Sequence, residues 1–166
     1  MKYVRPGGMI ALNSGTTNTI LAQELAARND SFTVVTNNLA AVPILMQNPG
    51  ITLIAVGGTV DGVEKSTYGP ECEREFEKYY PDTAFLSINA VNYQDGFTDF
   101  RFLEMGIIRL LAERAKEVVA VMDSTKIGKR SRKKVLDLKQ ADRMVTDESV
   151  PGSVLEEYGK RGLVIE

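Results

Sequence analysis

Histidine is absent from the 166-residue sequence, and cysteine occurs once, at Cys72. The first absence removes the commonest acid–base side chain and leaves no Cys/His spacing for a metal site, so the sequence implies no cofactor. A single cysteine excludes an intrachain disulfide, and nothing around Cys72 suggests a reactive thiol, so it reads as structural. No apolar run approaches the roughly 18 residues of a membrane span, and the N-terminus lacks the charged-then-apolar pattern of a signal peptide. A cytoplasmic location with no membrane partner is expected. The net charge of −2 gives no overall basic excess that would point to nucleic acid.

What is present suits an ordinary globular domain. Hydrophobic residues make up 43% and charged residues 25%, enough apolar matter for one core without staples. Short apolar, partly β-branched runs at 9–12, 32–35, 51–56, 84–88, 118–122 and 144–145 predict buried parallel strands. Helical patterns fall between most of them, at 16–27, 38–47, 71–79 and 102–114. Ile20, Leu21 and Leu25 would pack the first. Phe102, Leu103, Gly106, Ile107, Leu110 and Leu111 would pack the last. Asn37 or Asn38 would cap the second, with Pro43 disturbing its middle. Alternating strands and helices predict a doubly wound α/β fold, mostly parallel, with helices on both faces. Residues 1–8 read as a connector, and 9–166 as one domain.

Four polar segments each follow a strand-like run: Ser14-Gly15-Thr16-Thr17, Thr36-Asn37-Asn38, Gly57-Gly58 and Asp123-Ser124-Thr125-Lys126. Strand ends of an open sheet point their loops into one crevice, so these should gather about one ligand. Glycines, hydroxyls, amides and a lysine suit a phosphorylated, polyhydroxylated molecule. The first loop opens a helix, where free N–H groups meet an anion, although Ser14 or Thr16 acting merely as a cap fits the same pattern. Lys126 can pair with a phosphate oxygen, or simply head the basic run Lys129, Arg130, Arg132, Lys133 and Lys134, which is expected to face water. Asp95, Asp99 and Glu104 offer carboxylates for sugar hydroxyls or for base chemistry, while Asp95-Gly96 equally fits a plain turn.

Eight motifs in order carry a resemblance: Leu12-Asn13-Ser14-Gly15-Thr16-Thr17, Val35-Thr36-Asn37-Asn38, Val56-Gly57-Gly58, Tyr68-Gly69-Pro70, Ala84-Phe85-Leu86, Asp95-Gly96-Phe97-Thr98, Asp123-Ser124-Thr125-Lys126 and Val145-Thr146-Asp147. From about Met9 to Asp147 the chain resembles the C-terminal sensor domain of DeoR-type bacterial transcriptional repressors of sugar metabolism. The resemblance implies a fold shared with ribose-5-phosphate isomerase, the CoA transferases and glucosamine-6-phosphate deaminase, and a phosphorylated sugar as effector. It implies DNA contact only through an N-terminal winged helix-turn-helix that nothing here matches, and assembly as a homo-oligomer. A piece of a longer protein, or a natural protein lacking its own DNA-binding part, is expected.

Carried over by position, Gly15, Thr16 and Thr17 with Ser14 would hold the phosphate and Lys126 would complete its neutralisation. Thr36, Asn37, Asn38, Gly57 and Gly58 would line the sugar, with Asp95 and Glu104 meeting hydroxyls. Two departures stand out. Asn13 replaces the family's common aspartate, and residues 88–92 lack the usual glycines and the isomerases' paired aspartates. The resemblance therefore implies a sensor and no enzyme. The alternative is an isomerase-like enzyme, for which Glu104 would be the base.

Overall fold

A computed structural model describes residues 2–166. The chain runs β1 (Met9–Leu12), α1 (Thr16–Ala26), β2 (Phe32–Thr36), α2 (Val42–Leu45), β3 (Ile51–Ala55), β4 (Thr59–Asp61), β5 (Ser66–Tyr68), α3 (Pro70–Phe76) and β6 (Thr83–Ser87). It continues with β7 (Ala90–Asn92), β8 (Gly96–Asp99), α4 (Met105–Arg114), β9 (Glu117–Val121), β10 (Lys133–Leu136), β11 (Arg143–Val145), α5 (Gly152–Lys160) and β12 (Val164–Ile165).

Seven strands form one sheet in the order β12-β11-β9-β6-β1-β2-β3, and every neighbouring pair is parallel. The two-residue period of a strand sends alternate side chains to opposite faces, so the sheet is buried on both sides. Ile10, Leu12, Phe85 and Val119 pack with Ala22 and Leu25 of α1 and Leu45 of α2 on one face. Ala11, Ala84, Leu86 and Ala120 pack with Phe76 of α3, Ile107, Ile108 and Leu111 of α4, and Tyr158 of α5 on the other. This is the doubly wound architecture that the alternation predicts. The six predicted strands are β1, β2, β3, β6, β9 and β11; β12 adds the seventh.

The chain leaves β1 toward β2 and β3 on one side, then returns to β6, β9, β11 and β12 on the other. The order therefore reverses between β1 and β6, and a crevice opens beyond their carboxyl ends.

Several predicted boundaries move. The helix expected over 38–47 is reduced to α2, with Pro43 in its first turn, where a missing N–H breaks no helical bond. Asn38 instead folds the preceding residues, its Oδ1 accepting from the backbone N–H groups of Ala40 and Ala41, each at 3.1 Å. The last predicted helix starts at Met105, after a 3₁₀ turn at Phe102–Glu104. Phe102 and Leu103, expected on the packed face, are 55% and 49% exposed. Ile20 is likewise exposed, and α1 buries Asn18, Ala22 and Leu25. Two small antiparallel sheets, β4-β5 and β10-β8-β7, and helix α5 went unread. Among residues 2–8, Val4 is buried and the Tyr3 carbonyl accepts from Thr83 Oγ1 at 2.9 Å.

Candidate functional site

At the reversal point lies a cleft of about 250 Å³. It is lined by Gly15 and the first residues of α1, Thr16 and Thr17, beside Ser87 at the end of β6 and Ile88 and Asn89 after it. Met122, Asp123 and Lys126 after β9 form a second wall, and Phe100, Arg101 and Glu64 complete it.

Gly15 is the N-cap of α1 at φ 121° and ψ 155°, a region essentially restricted to glycine. No side chain caps the helix and no acid stands in its first turn, so Ser14 and Thr16 are not mere caps. The first N–H groups and the positive end of the helix dipole are left for an anion. Lys126 reaches the same cleft from a 3₁₀ turn, Ser124–Lys126, whose N-cap Asp123 accepts from the backbone and hydroxyl of Thr125. Asp147 holds that turn from β11's loop, accepting from Ser124 N at 2.7 Å and Ser149 N at 3.0 Å. Those bonds, Ser124's first, keep its carboxyl far below the usual carboxylate range. Lys126 forms no ion pair among the described residues.

Arg101 ties the loops together. Its Nε and Nη2 grip Asp99 at 3.0 and 2.7 Å, Nη2 also donates to the Ser87 carbonyl at 2.8 Å, and Nη1 donates to Ser14 O and Oγ at 3.1 and 3.2 Å. All five guanidinium hydrogens therefore have acceptors. Burial opposes its charge, but the Asp99 bonds and charge outweigh it, helped by Glu104 and Glu64, and the guanidinium stays above its ordinary range. Asp99 is fully buried and also accepts from Asn89 N at 3.1 Å. Asn13 explains its own departure from aspartate: Oδ1 accepts from Ser87 N at 2.7 Å while Nδ2 donates to Ser87 O at 3.0 Å. A carboxylate has no hydrogen for the second bond.

The structure brings Gly15, Thr16, Thr17 and Lys126 of the sequence-derived set to one cleft. Ser14 lies just beneath, buried against Arg101. Thr36, Asn37 and Asn38 are buried and bonded to protein: Thr36 Oγ1 to Leu12 O, Asn37 Nδ2 to Thr67 O and Glu104 Oε1, Asn38 Nδ2 to Thr19 Oγ1. Gly57 and Gly58 start the β4–β5 hairpin away from the lining, and a Cβ on Gly58 would stand 2.7 Å from Tyr68 O. Asp95 turns the chain before Gly96, accepting from Asn92 Nδ2 at 2.9 Å. The run 129–134 is largely exposed. Cys72 is buried, and burial pushes its thiol up to about 11.

Arg101, Ser87, Asn89, Phe100 and Glu64 were not read from sequence. An arginine two residues after an aspartate inside an otherwise apolar stretch was the one available signal, for Asp99 and Arg101.

Glu104 is 1% exposed and sits behind the cleft, not on its lining. Asn37 Nδ2 donates to Oε1 at 2.9 Å, while Oε2 makes no hydrogen bond among the described residues. The hydroxyls of Ser14 and Ser66 and the charge of Arg101 ease the carboxylate, yet burial dominates and raises its pKa. A carboxyl raised above its unfolded value near 4.3 stabilises the fold at low pH and loses that contribution as pH rises through the folded pKa. Glu104→Gln should therefore raise the unfolding midpoint at neutral pH by about 3 °C, equivalent to about 1 kcal/mol, and the gap should close toward pH 4. Thermal unfolding from pH 4 to 8 checks this; a gap that widens toward acid refutes it.

The family model described as the DeoR C-terminal sensor domain matches residues 1–148. The HTH-type transcriptional regulator GolR of Listeria innocua serovar 6a is 29% identical over 98% of this chain and 64% of its own. The chain spans about three-fifths of the length of the curated relatives it matches. Among solved structures, ribose 5-phosphate isomerase A from Neisseria gonorrhoeae is similar over 76% of this chain and 48% of its own, with TM-score 0.53 and 11% identity. The β subunit of eIF2B from Chaetomium thermophilum is similar over 78% and 37%, with TM-score 0.52 and 16% identity. Such low identities speak for the fold alone. No described helix is long and apolar enough to cross a membrane.

Proposed function

Because the chain belongs to the DeoR C-terminal sensor domain family, we propose that its cleft takes a phosphorylated sugar as the effector of a cytoplasmic transcriptional regulator. The observation that carries this reading is the uncapped N-terminus of α1 facing the same cleft as Lys126. Phosphate at Gly15-Thr16-Thr17 gains backbone donors and dipole, and Lys126 supplies the opposite charge. Ser87 and Asn89 then face the sugar hydroxyls, with Phe100 as an apolar wall.

Binding proceeds without turnover in this reading. Glu104, the base an isomerase would need, is buried behind the lining and bonded to Asn37. Operator contact belongs to a separate helix-turn-helix module, and the sensor's oligomer contacts pair those modules with symmetric half-sites. A coupling of about 1–3 kcal/mol between sugar and operator suffices for regulation.

A thermal-shift panel of phosphosugars, their unphosphorylated partners and inorganic phosphate tests it. A phosphosugar at 100 times its dissociation constant contributes about 2.7 kcal/mol, or roughly 5–10 °C. Lys126→Ala should remove most of that shift and leave the ligand-free midpoint within about 1 °C, since the lysine has no ion pair to lose. Equal shifts with unphosphorylated sugars, or conversion of the ligand, would overturn the reading.

A further inference from the structure

Glu64 sits at the tip of the β4–β5 hairpin and lines the cleft with Thr16, Thr17 and Lys126. It also borders the adjoining hollow formed by Gly15, Thr16 and Lys65, so it stands beside the N-terminus of α1. Among the described residues its carboxylate accepts no hydrogen bond and joins no ion pair. The position is built. Asp61 Oδ1 accepts from the backbone of Val63 at 2.9 Å and of Glu64 at 3.2 Å. On the other side the Lys65 carbonyl accepts from Leu39 N at 2.8 Å, and Thr67 N donates to Asn37 O at 3.0 Å. Lys65 holds φ 51°, the one positive φ outside glycine among the described residues. These bonds anchor the backbone at Glu64 beside the cleft, and its side chain lines the wall.

A carboxylate beside an anion site repels the anion unless a cation answers it. Arg101 lends it only a through-space attraction, since its hydrogens are all engaged and Asp99 pairs its charge. Asp123 is engaged with Thr125. The cleft thus offers one uncommitted cation, Lys126, and one uncommitted anion, Glu64. A phosphosugar that is only negative satisfies the first and is repelled by the second.

Resting on the phosphate reading above, we propose that the cleft selects a zwitterionic ligand, an amino-sugar phosphate with a free ammonium, and that Glu64 is the residue that receives the ammonium. A charge-assisted N–H···O bond replaces a like-charge contact, and the carboxylate discriminates by both terms. N-acetylation removes the charge and with it the preference.

Calorimetric titration tests this with glucosamine 6-phosphate and galactosamine 6-phosphate, their N-acetylated and neutral hexose 6-phosphate counterparts, and the unphosphorylated amines. The free-amine phosphate of at least one series should bind about tenfold or more tightly than both neutral counterparts. In Glu64→Gln, whose lost carboxylate has no hydrogen bond or ion pair among the described residues, that preference should fall to about twofold or less while the neutral phosphosugar tightens. In the wild type it should fade as pH rises from about 7 to about 9.5 and the amine loses its proton. Equal or tighter binding of the neutral phosphosugar, or a preference that survives Glu64→Gln, overturns the role of Glu64 and leaves the phosphate site standing. Unphosphorylated amines binding as tightly as their phosphates, or no phosphosugar binding at all, overturns the phosphate reading and this inference with it.

Discussion

Arg101→Met is expected to lower the unfolding midpoint by about 10–15 °C, a loss of about 3–5 kcal/mol. The substitution keeps an unbranched apolar stem but removes a guanidinium whose residue is 8% exposed and whose partner Asp99 is wholly buried. What remains is an uncompensated carboxylate in the interior, together with a Ser14 carbonyl that loses the guanidinium donor and a Ser87 carbonyl that keeps only Asn13. Leaving one member of a buried pair costs far more than removing both. The double variant Arg101→Met/Asp99→Leu should therefore recover at least about 1 kcal/mol of the loss. Urea unfolding of the wild type, both single variants and the double variant supplies the cycle. A single-variant loss under about 1 kcal/mol would show that the clamp contributes little.

Gly15→Ala is expected to remove phosphosugar-dependent stabilisation and to destabilise the ligand-free protein by about 2–4 kcal/mol. Two effects add. The backbone at φ 121° and ψ 155° is strained for any side chain, and the new Cβ would lie 2.5 Å from Ser87 Oγ and 3.0 Å from Arg101 Nη1. Ser87 can rotate its hydroxyl away, but its own Cβ stands at 3.1 Å and the β1 and β6 loops must part. The N–H groups presented to an anion then lose their geometry. Gly128→Ala is the control, at φ 75° with no atom near its new Cβ, and should cost only about 1–2 kcal/mol while keeping ligand binding. Thermal unfolding with and without the stabilising phosphosugar separates the outcomes. Equal ligand shifts in Gly15→Ala and wild type would mean that this loop does not hold the phosphate.

The uncapped loop after β1 was legible because its chemistry is local. Gly15, Thr16 and Thr17 stand between a β-branched run and a helical pattern, and that junction by itself puts N–H groups at the carboxyl end of a strand. Lys126 was legible for the same reason at β9. The second polar loop lies off the cleft lining: Thr36, Asn37 and Asn38 have polar groups turned to Leu12, Thr67 and Thr19, a choice set by partners 24, 30 and 19 residues away. Phe102 and Leu103 continue the apolar pattern of α4, yet a 3₁₀ turn with three residues per turn rotates them off the packed stripe.

From the sequence alone came the doubly wound sheet, six of its strands, the family and the polar strand–helix junctions after β1 and β9, because strand period, helix period and turn chemistry are set by residues within a few positions of one another. Tertiary structure alone decided which loops share the cleft, since that follows from the reversal of strand order between β1 and β6. It also decided that Arg101 joins Ser14, Ser87 and Asp99, and that Glu64 faces the cleft from the hairpin. Charges placed by such crossings lie up to 87 residues from their partners, and no local pattern encodes that distance.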